Sequence, residues 1–430
     1  MAERDEVALD DFDPAVRRRG LARVCAATTW PAPGEIVNLH CHTFYSYNAY
    51  GYSPTHFAVL ARRRGVAVAG IVDFDVLDGL DEFQAASRAV GLKAVVSVES
   101  RVFVPELADL VVNSPGEPGI AYHMGVGFPR QVGHPFLATM RASAGQRIRD
   151  TLARVNVYLR PVELDFELDV LPLTPKGNVT ERHLCEAFEE KARQVFPDAG
   201  ERSLFWREKL GDAPAEGAAL QNLLRARTLK KGGVGYTQPQ EGAFPPLADM
   251  NRFTLDGGAI PTLAWLDGTS EGERCSERLL DVAGSTGVAA LNIIPDRNYT
   301  PGVNDEKLRN LYEVVALAES RGLPIVVGTE MNAPGNKFVD SFDTTELKPL
   351  LPVFLKGAHI VYAHSVLQRE SGLGYLSDWA AATFTSVAAK NEFFETVGRR
   401  LEPADEGRLT ELPADAAPEE ILAALPASSD

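Results

Sequence analysis

Two histidines one residue apart, His40 and His42 in NLHCHTFYS, close a short apolar run. On an extended strand, residues two apart project to the same side, so the pair offers half of a metal site. Alone, the spacing is a weak signal, because two polar residues at a strand end need no metal. Other groups with the same chemistry stand at comparable places. Asp73 and Asp75 end a second apolar run, Glu99 ends a third, His123 lies in a fourth, and Glu330 ends a late one. If these runs are barrel strands, their C-terminal ends face a common pocket, and residues far apart in sequence meet there.

The elements that must position them are legible as short runs rich in Val, Ile and Ala. They span 36–40, 66–74, 92–100, 120–128, 259–267, 288–296, 323–331 and 359–365. Most do not alternate, which is how strands buried on both faces read. Helix-like stretches follow many of them. SPTHFAVLARRRG opens with a Ser cap and a Pro at the first helical position, and LDEFQAASRAVG ends in a helix-stopping Gly. Repeated βα units predict a barrel or a doubly wound sheet. Residues 135–258 break the rhythm and read as a mostly helical insertion, with a Gly-rich loop at KKGGVGYTQP. Residues 1–33 read as an acidic leader, 34–400 as the barrel, and 401–430 as a mobile tail.

Bulk properties narrow the partners. The 430 residues carry a formal net charge of −16, which disfavours nucleic acid but leaves room for a small anionic substrate at a local cationic site. Cys25, Cys41, Cys185 and Cys275 form no CxxC pair. A disulfide framework is not expected, and a reducing, cytoplasmic setting fits. The charged N-terminus has no apolar core, and no apolar run reaches membrane-spanning length. A homo-oligomer stays open. For binding a substrate anion the candidates are Arg101, Arg130, Lys176, Arg182 and Arg297. His364, at the end of HIVYAHS, is either a general acid, a ligand or substrate contact, or a satisfied core histidine.

Several of these segments resemble the PHP (polymerase and histidinol phosphatase) family of metal-dependent phosphoesterases. The likeness rests on NLHCHTFYS, GIVDFD, VVSVES, AYHMGVGF, TERHLCEAF and VVGTEMN, and covers roughly residues 34–370 apart from the insertion. It implies a distorted seven-stranded TIM-like (β/α) barrel. It also implies that His40, His42, Glu99 and Glu330 hold one metal, with Glu99 bridging to a second held by His123 and His183. Asp73 would be a further ligand or a partner that fixes one.

Three departures fall together. The family's third metal site needs ligands where this chain has Tyr47 or Asn48, Phe74 and Asn332. The resemblance therefore implies a binuclear centre of Mn, Zn or Fe. Its expected reaction is hydrolysis of a small phosphorylated metabolite by a metal-bound hydroxide, with Asp73 and His364 as the catalytic candidates. The alternatives are hydrolysis of a lactone or amide at the same centre, and a metal-binding accessory protein without turnover.

Overall fold

The computed structural model describes residues 6–211, 216–239 and 242–426. The ends of the leader and of the tail lie outside these residues. Seven strands form one mixed sheet in sequence order: β1 (Ile36–Cys41), β2 (Val66–Phe74), β3 (Lys93–Phe103), β4 (Ile120–Val126), β5 (Ile260–Trp265), β6 (Ala290–Ile293) and β7 (Ile325–Val327). The first and last strands approach and nearly close the sheet into a barrel. Cys41 bridges Glu330, with Glu330 N–H donating to His40 O at 2.7 Å and His42 N–H donating to Glu330 O at 2.8 Å. The expected distorted seven-stranded barrel is the fold observed.

One direction differs from a simple parallel barrel. β4 runs antiparallel to both β3 and β5, while all other pairs are parallel. An apolar run carries no mark of strand direction, so the sequence is silent on this. The register pairs Glu99 with Met124 and Ser100 with His123. Residues directly opposite share a face, so His123 stands on the face opposite to Glu99.

The eighth apolar run is a correction. HIVYAHS lies inside a helix, Leu351–Ser371, not in a strand. Every residue from Gly357 to Leu367 is buried, which erases the periodicity that marks a surface helix and leaves a run that also fits a buried strand. This helix lies against the end of the barrel where the parallel strands begin. A Cβ on Gly357 would sit 2.0 Å from the carbonyl oxygen of Ile325, the first residue of β7. By length and composition the segment Lys348–Ser371 is apolar enough to cross a bilayer, but 78% of its most apolar window is buried within the protein.

Between β4 and β5 the described residues are helical and turn-forming. Much of this region has a hydrophobic core of its own, built from Leu152, Phe188, Trp206, Leu224 and their neighbours. The final helix before β5, Leu247–Asp256, packs instead with the barrel core through Met250 and Phe253. Both ends of the described chain pack on the barrel core. Leu9 is fully buried, and Asp10 receives Ser53 N–H and holds His56 at 2.6 Å. At the other end, Leu409 and Ile421 are buried, and Glu406 accepts from Tyr362 and Arg369. Within residues 401–426 the few apolar residues lie on the barrel core, and Pro418–Ala424 forms a short helix.

Candidate metal centre

β1 ends at Cys41, and the chain there turns His40 and His42 to one side and Cys41 to the other. The Cys41 side chain packs in the barrel wall beside Met331. Glu99 projects from β3 to the same place. The Nε2 atoms of His40 and His42 lie 3.6 Å and 3.2 Å from Glu99 Oε2. The three side chains are buried, and these three atoms have no hydrogen-bond partner. Among the described residues, they form the one group of three or more His, Cys, Asp or Glu with ligand atoms within 4.8 Å of one another.

The opposite edge of each ring is already committed. His40 Nδ1 faces Asn292 Oδ1 at 3.1 Å, and Asn292 Nδ2 donates to Val326 O. Asn292 therefore presents its oxygen, and His40 Nδ1 must donate. After β1 the chain turns back through Thr43, with Ser46 N–H and Tyr47 N–H both donating to Thr43 O. This brings Ser46 Oγ to 3.0 Å from His42 Nδ1 while it donates to Asp73 Oδ1 at 2.6 Å. Ser46 Oγ thus accepts from His42 Nδ1. Both imidazoles carry their proton on Nδ1 and turn an Nε2 lone pair toward a carboxylate oxygen. Such an arrangement repels itself unless a cation sits between.

A proton on the histidines is the other way to relieve that repulsion, and the pKa directions describe it. Burial favours the neutral forms, yet the paired histidines hold the Glu99 carboxyl well below the usual carboxylate range. Burial opposes charge on His40 too, but Glu99 and then Glu330 outweigh it and raise its pKa. The spacing is close to that of an ion's ligands. Ligands about 2.0–2.2 Å from a tetrahedral ion stand roughly 3.3–3.6 Å apart; the His40–Glu99 distance of 3.6 Å lies in that range and the His42–Glu99 distance of 3.2 Å just below it.

Asp73 is buried and does not join the cluster directly. It accepts from Thr43 N–H, Thr43 Oγ1 and Ser46 Oγ, and acts on His42 through Ser46. Glu330 closes the barrel through its backbone. It and Met331 adopt left-handed φ of 61° and 53°, a strained pair for residues with side chains. The Phe74 ring packs against that of His42, tilted by 31° with centroids 4.4 Å apart, so an apolar group stands where the sequence resemblance implies a ligand.

Other expected ligands sit elsewhere. His123 faces outward and hydrogen-bonds Asn251 on the Leu247–Asp256 helix at 2.7 Å. Burial there pulls its pKa down to about 4. His183 uses Nδ1 to complete the capping box of the Glu181–Val195 helix with Thr180. Its ring meets the Tyr47 ring edge-on at 5.0 Å. His364 lies at the opposite end of the barrel. Its ring packs against Gly127, just past the C-terminus of antiparallel β4, and Nδ1 accepts from Tyr375 N–H.

The basic candidates divide as well. Arg101 follows Glu99 on the same face of β3, and Arg182 stands beside His183. Arg130 donates to Arg369 O at the Leu351–Ser371 helix, away from the centre. Arg297 and Lys307 share Asp267 on the surface, and Lys176 pairs with Asp78. Sequence reading missed Ser46 and Asn292. The serine follows the HxH motif closely, but the asparagine carries no local mark except a polar residue inside the run VAALNIIPD.

No protein-family model matches the chain, and no curated protein matches it. Solved structures do. A protein from Bifidobacterium adolescentis assigned as a metal-dependent phosphoesterase aligns with a TM-score of 0.51 at 17% identity. It covers 76% of this chain and 98% of its own. An amidohydrolase from Chromobacterium violaceum aligns over 74% of this chain and 96% of its own, at 18% identity and a TM-score of 0.49. At such identity the likeness is one of fold, and function has to come from the site.

Proposed function

We propose that this chain is a metal-dependent hydrolase of a small anionic substrate, a phosphate ester before a carbonyl compound, with one divalent ion held by His40, His42 and Glu99. The observation that carries the reading is the meeting of three buried, unpartnered ligand atoms whose rings are locked in the ligand tautomer. The sequence resemblance implies two ions, but His123 and His183 are engaged outside the cluster, which favours one. Zn, Mn or Fe suits the mixed donor set.

A divalent ion at such a site supplies Lewis acidity and lowers the pKa of water toward neutrality. The chain's own residues do the positioning. Asn292 fixes His40, the Ser46–Asp73 pair fixes His42, and Phe74 keeps solvent from one face of the His42 ring. Preference for a phosphate ester rests on the cations beside Glu99, of which Arg101 lies about 7 Å farther along β3.

The test is elemental analysis joined to a phosphatase screen with added metal. One ion per chain, lost together with turnover in His42→Ala, is the expected result. Protein that stays metal-free after supplementation, or turnover indifferent to His42→Ala, removes the reading. Two ions per chain would overturn its one-ion form.

A further inference from the structure

One cluster of side chains, reached along β3 from Glu99, departs from the charge of the whole. Arg101 lies one pleat beyond Glu99 on the same face of β3 and pairs with Glu117 at 2.9 Å. From the insertion come Arg225 and Lys230, which share the single carboxylate of Glu181 at 2.9 Å and 2.8 Å. Arg182, the next residue, hydrogen-bonds only the neutral Asn222, and no carboxylate among the described residues lies within ion-pair distance of it. Arg147 shares the Phe244 ring with Arg101 and Asp75 acts on both, so five cations meet three carboxylates, in a chain whose net charge is −16.

These groups are not mutually satisfied and sealed. Arg101, Arg225, Lys230 and Glu181 keep 27%, 32%, 42% and 25% of their side-chain surface accessible. Arg225 also opens a π-helical turn, Arg225–Leu229, from which Lys230 emerges as the cap. Such turns are rare and recur at functional sites. Crowding of like charge is evident in the pKa directions. Burial lowers Lys230, and Arg225 and Arg101 add to that against the pull of Glu181. Burial and then Arg225 likewise lower Arg182.

We infer that Arg182, Arg225 and Lys230 of the helical insertion, with Arg101 of the barrel, form a binding site for a doubly charged oxyanion, which anchors the substrate beside the metal centre. The insertion is then a specificity element and not a passive decoration. A dianion compensates the excess of two positive charges, and guanidinium groups suit the planar pairs of oxygens on a phosphate group. Naming that anion a part of the substrate rests on the hydrolase reading; the site itself does not.

The probe is inorganic phosphate, titrated calorimetrically into the protein as purified and after chelation. Phosphate should bind in both states. Arg182→Gln and Lys230→Met should each weaken it by about tenfold or more, with metal content and thermal midpoint preserved. Arg182→Gln decides the matter if Lys230→Met fails to fold, because Asn222 is its one hydrogen-bond partner among the described residues. Binding that disappears on chelation, or that ignores both substitutions, overturns the site. Phosphate affinity that follows Arg182 and Lys230 in a protein without metal or turnover keeps the anion site and removes the hydrolase reading instead.

Discussion

Ser46 and Asn292 are small polar residues that touch neither Glu99 nor each other in the structure, yet each decides which nitrogen of a histidine carries the proton. Removing either should loosen the ion without emptying the site. Ser46→Ala and Asn292→Ala are expected to weaken metal affinity by roughly ten- to a hundredfold, read by competition with a chromophoric chelator. His42→Ala should abolish it. Unchanged affinity in both milder variants would mean that the rings are oriented by packing alone. The same residues show where sequence reading stops. His40, His42 and Glu99 are visible because each ends an apolar run and offers ligand chemistry. Asn292 is invisible because its partner lies 252 positions away and a polar residue in a short strand has many uses.

At the level of elements, the seven strand-forming runs are legible, since short β-rich stretches separated by amphipathic helices have few other readings. Their directions are not. Nor is their register: the pairing of Ser100 with His123 sets His123 on the face opposite to Glu99, where it meets Asn251. The Leu351–Ser371 helix was misread for a related reason: a segment buried all round displays no period. Its fit against β7 is backbone on backbone. Gly357→Ala, whose Cβ would stand 2.0 Å from Ile325 O, should destabilise the fold by about 3 kcal/mol or more in urea denaturation. Gly145→Ala, in the Pro135–Leu159 helix, would meet nothing within 4 Å and should stabilise by up to about 1 kcal/mol. Equal effects at the two positions would contradict the packing described.

The whole molecule should be sensitive to acid. Burial keeps His359 and His364 neutral and lowers both to about 3, whereas an unfolded histidine titrates near 6.5. Below that value the unfolded chain binds more protons than the folded one. The stability these groups permit is therefore complete above pH 6.5 and lost as pH falls toward 3, at up to about 1.4 kcal/mol per unit for each. Asp340 has the opposite sign. Burial, then Asp296, raises it to about 7, so its contribution is present at low pH and fades as pH rises to 7. With the histidines outnumbering it, the thermal midpoint should rise from pH 5 to about 6.5. His359→Gln should flatten that limb, and a profile unaffected by the substitution would mean that His359 charges freely in the fold.

The barrel seam sets an order of events during synthesis. His40, His42 and Glu99 leave the ribosome nearly two hundred residues before Asn292, and longer still before Glu330. The β1–β2–β3 unit that carries the three ligands is parallel and contiguous, while joining β1 to the stretch after β7 spans almost the whole domain. Contacts so distant in sequence form slowly, and domains tend to organise from the N-terminus as they emerge. This order predicts that the ligand set comes together on an open sheet before Cys41 meets Glu330. If the centre holds an ion, one bound before closure would be trapped, so protein refolded with metal should retain more than protein refolded without it and supplemented afterwards, as read by elemental analysis.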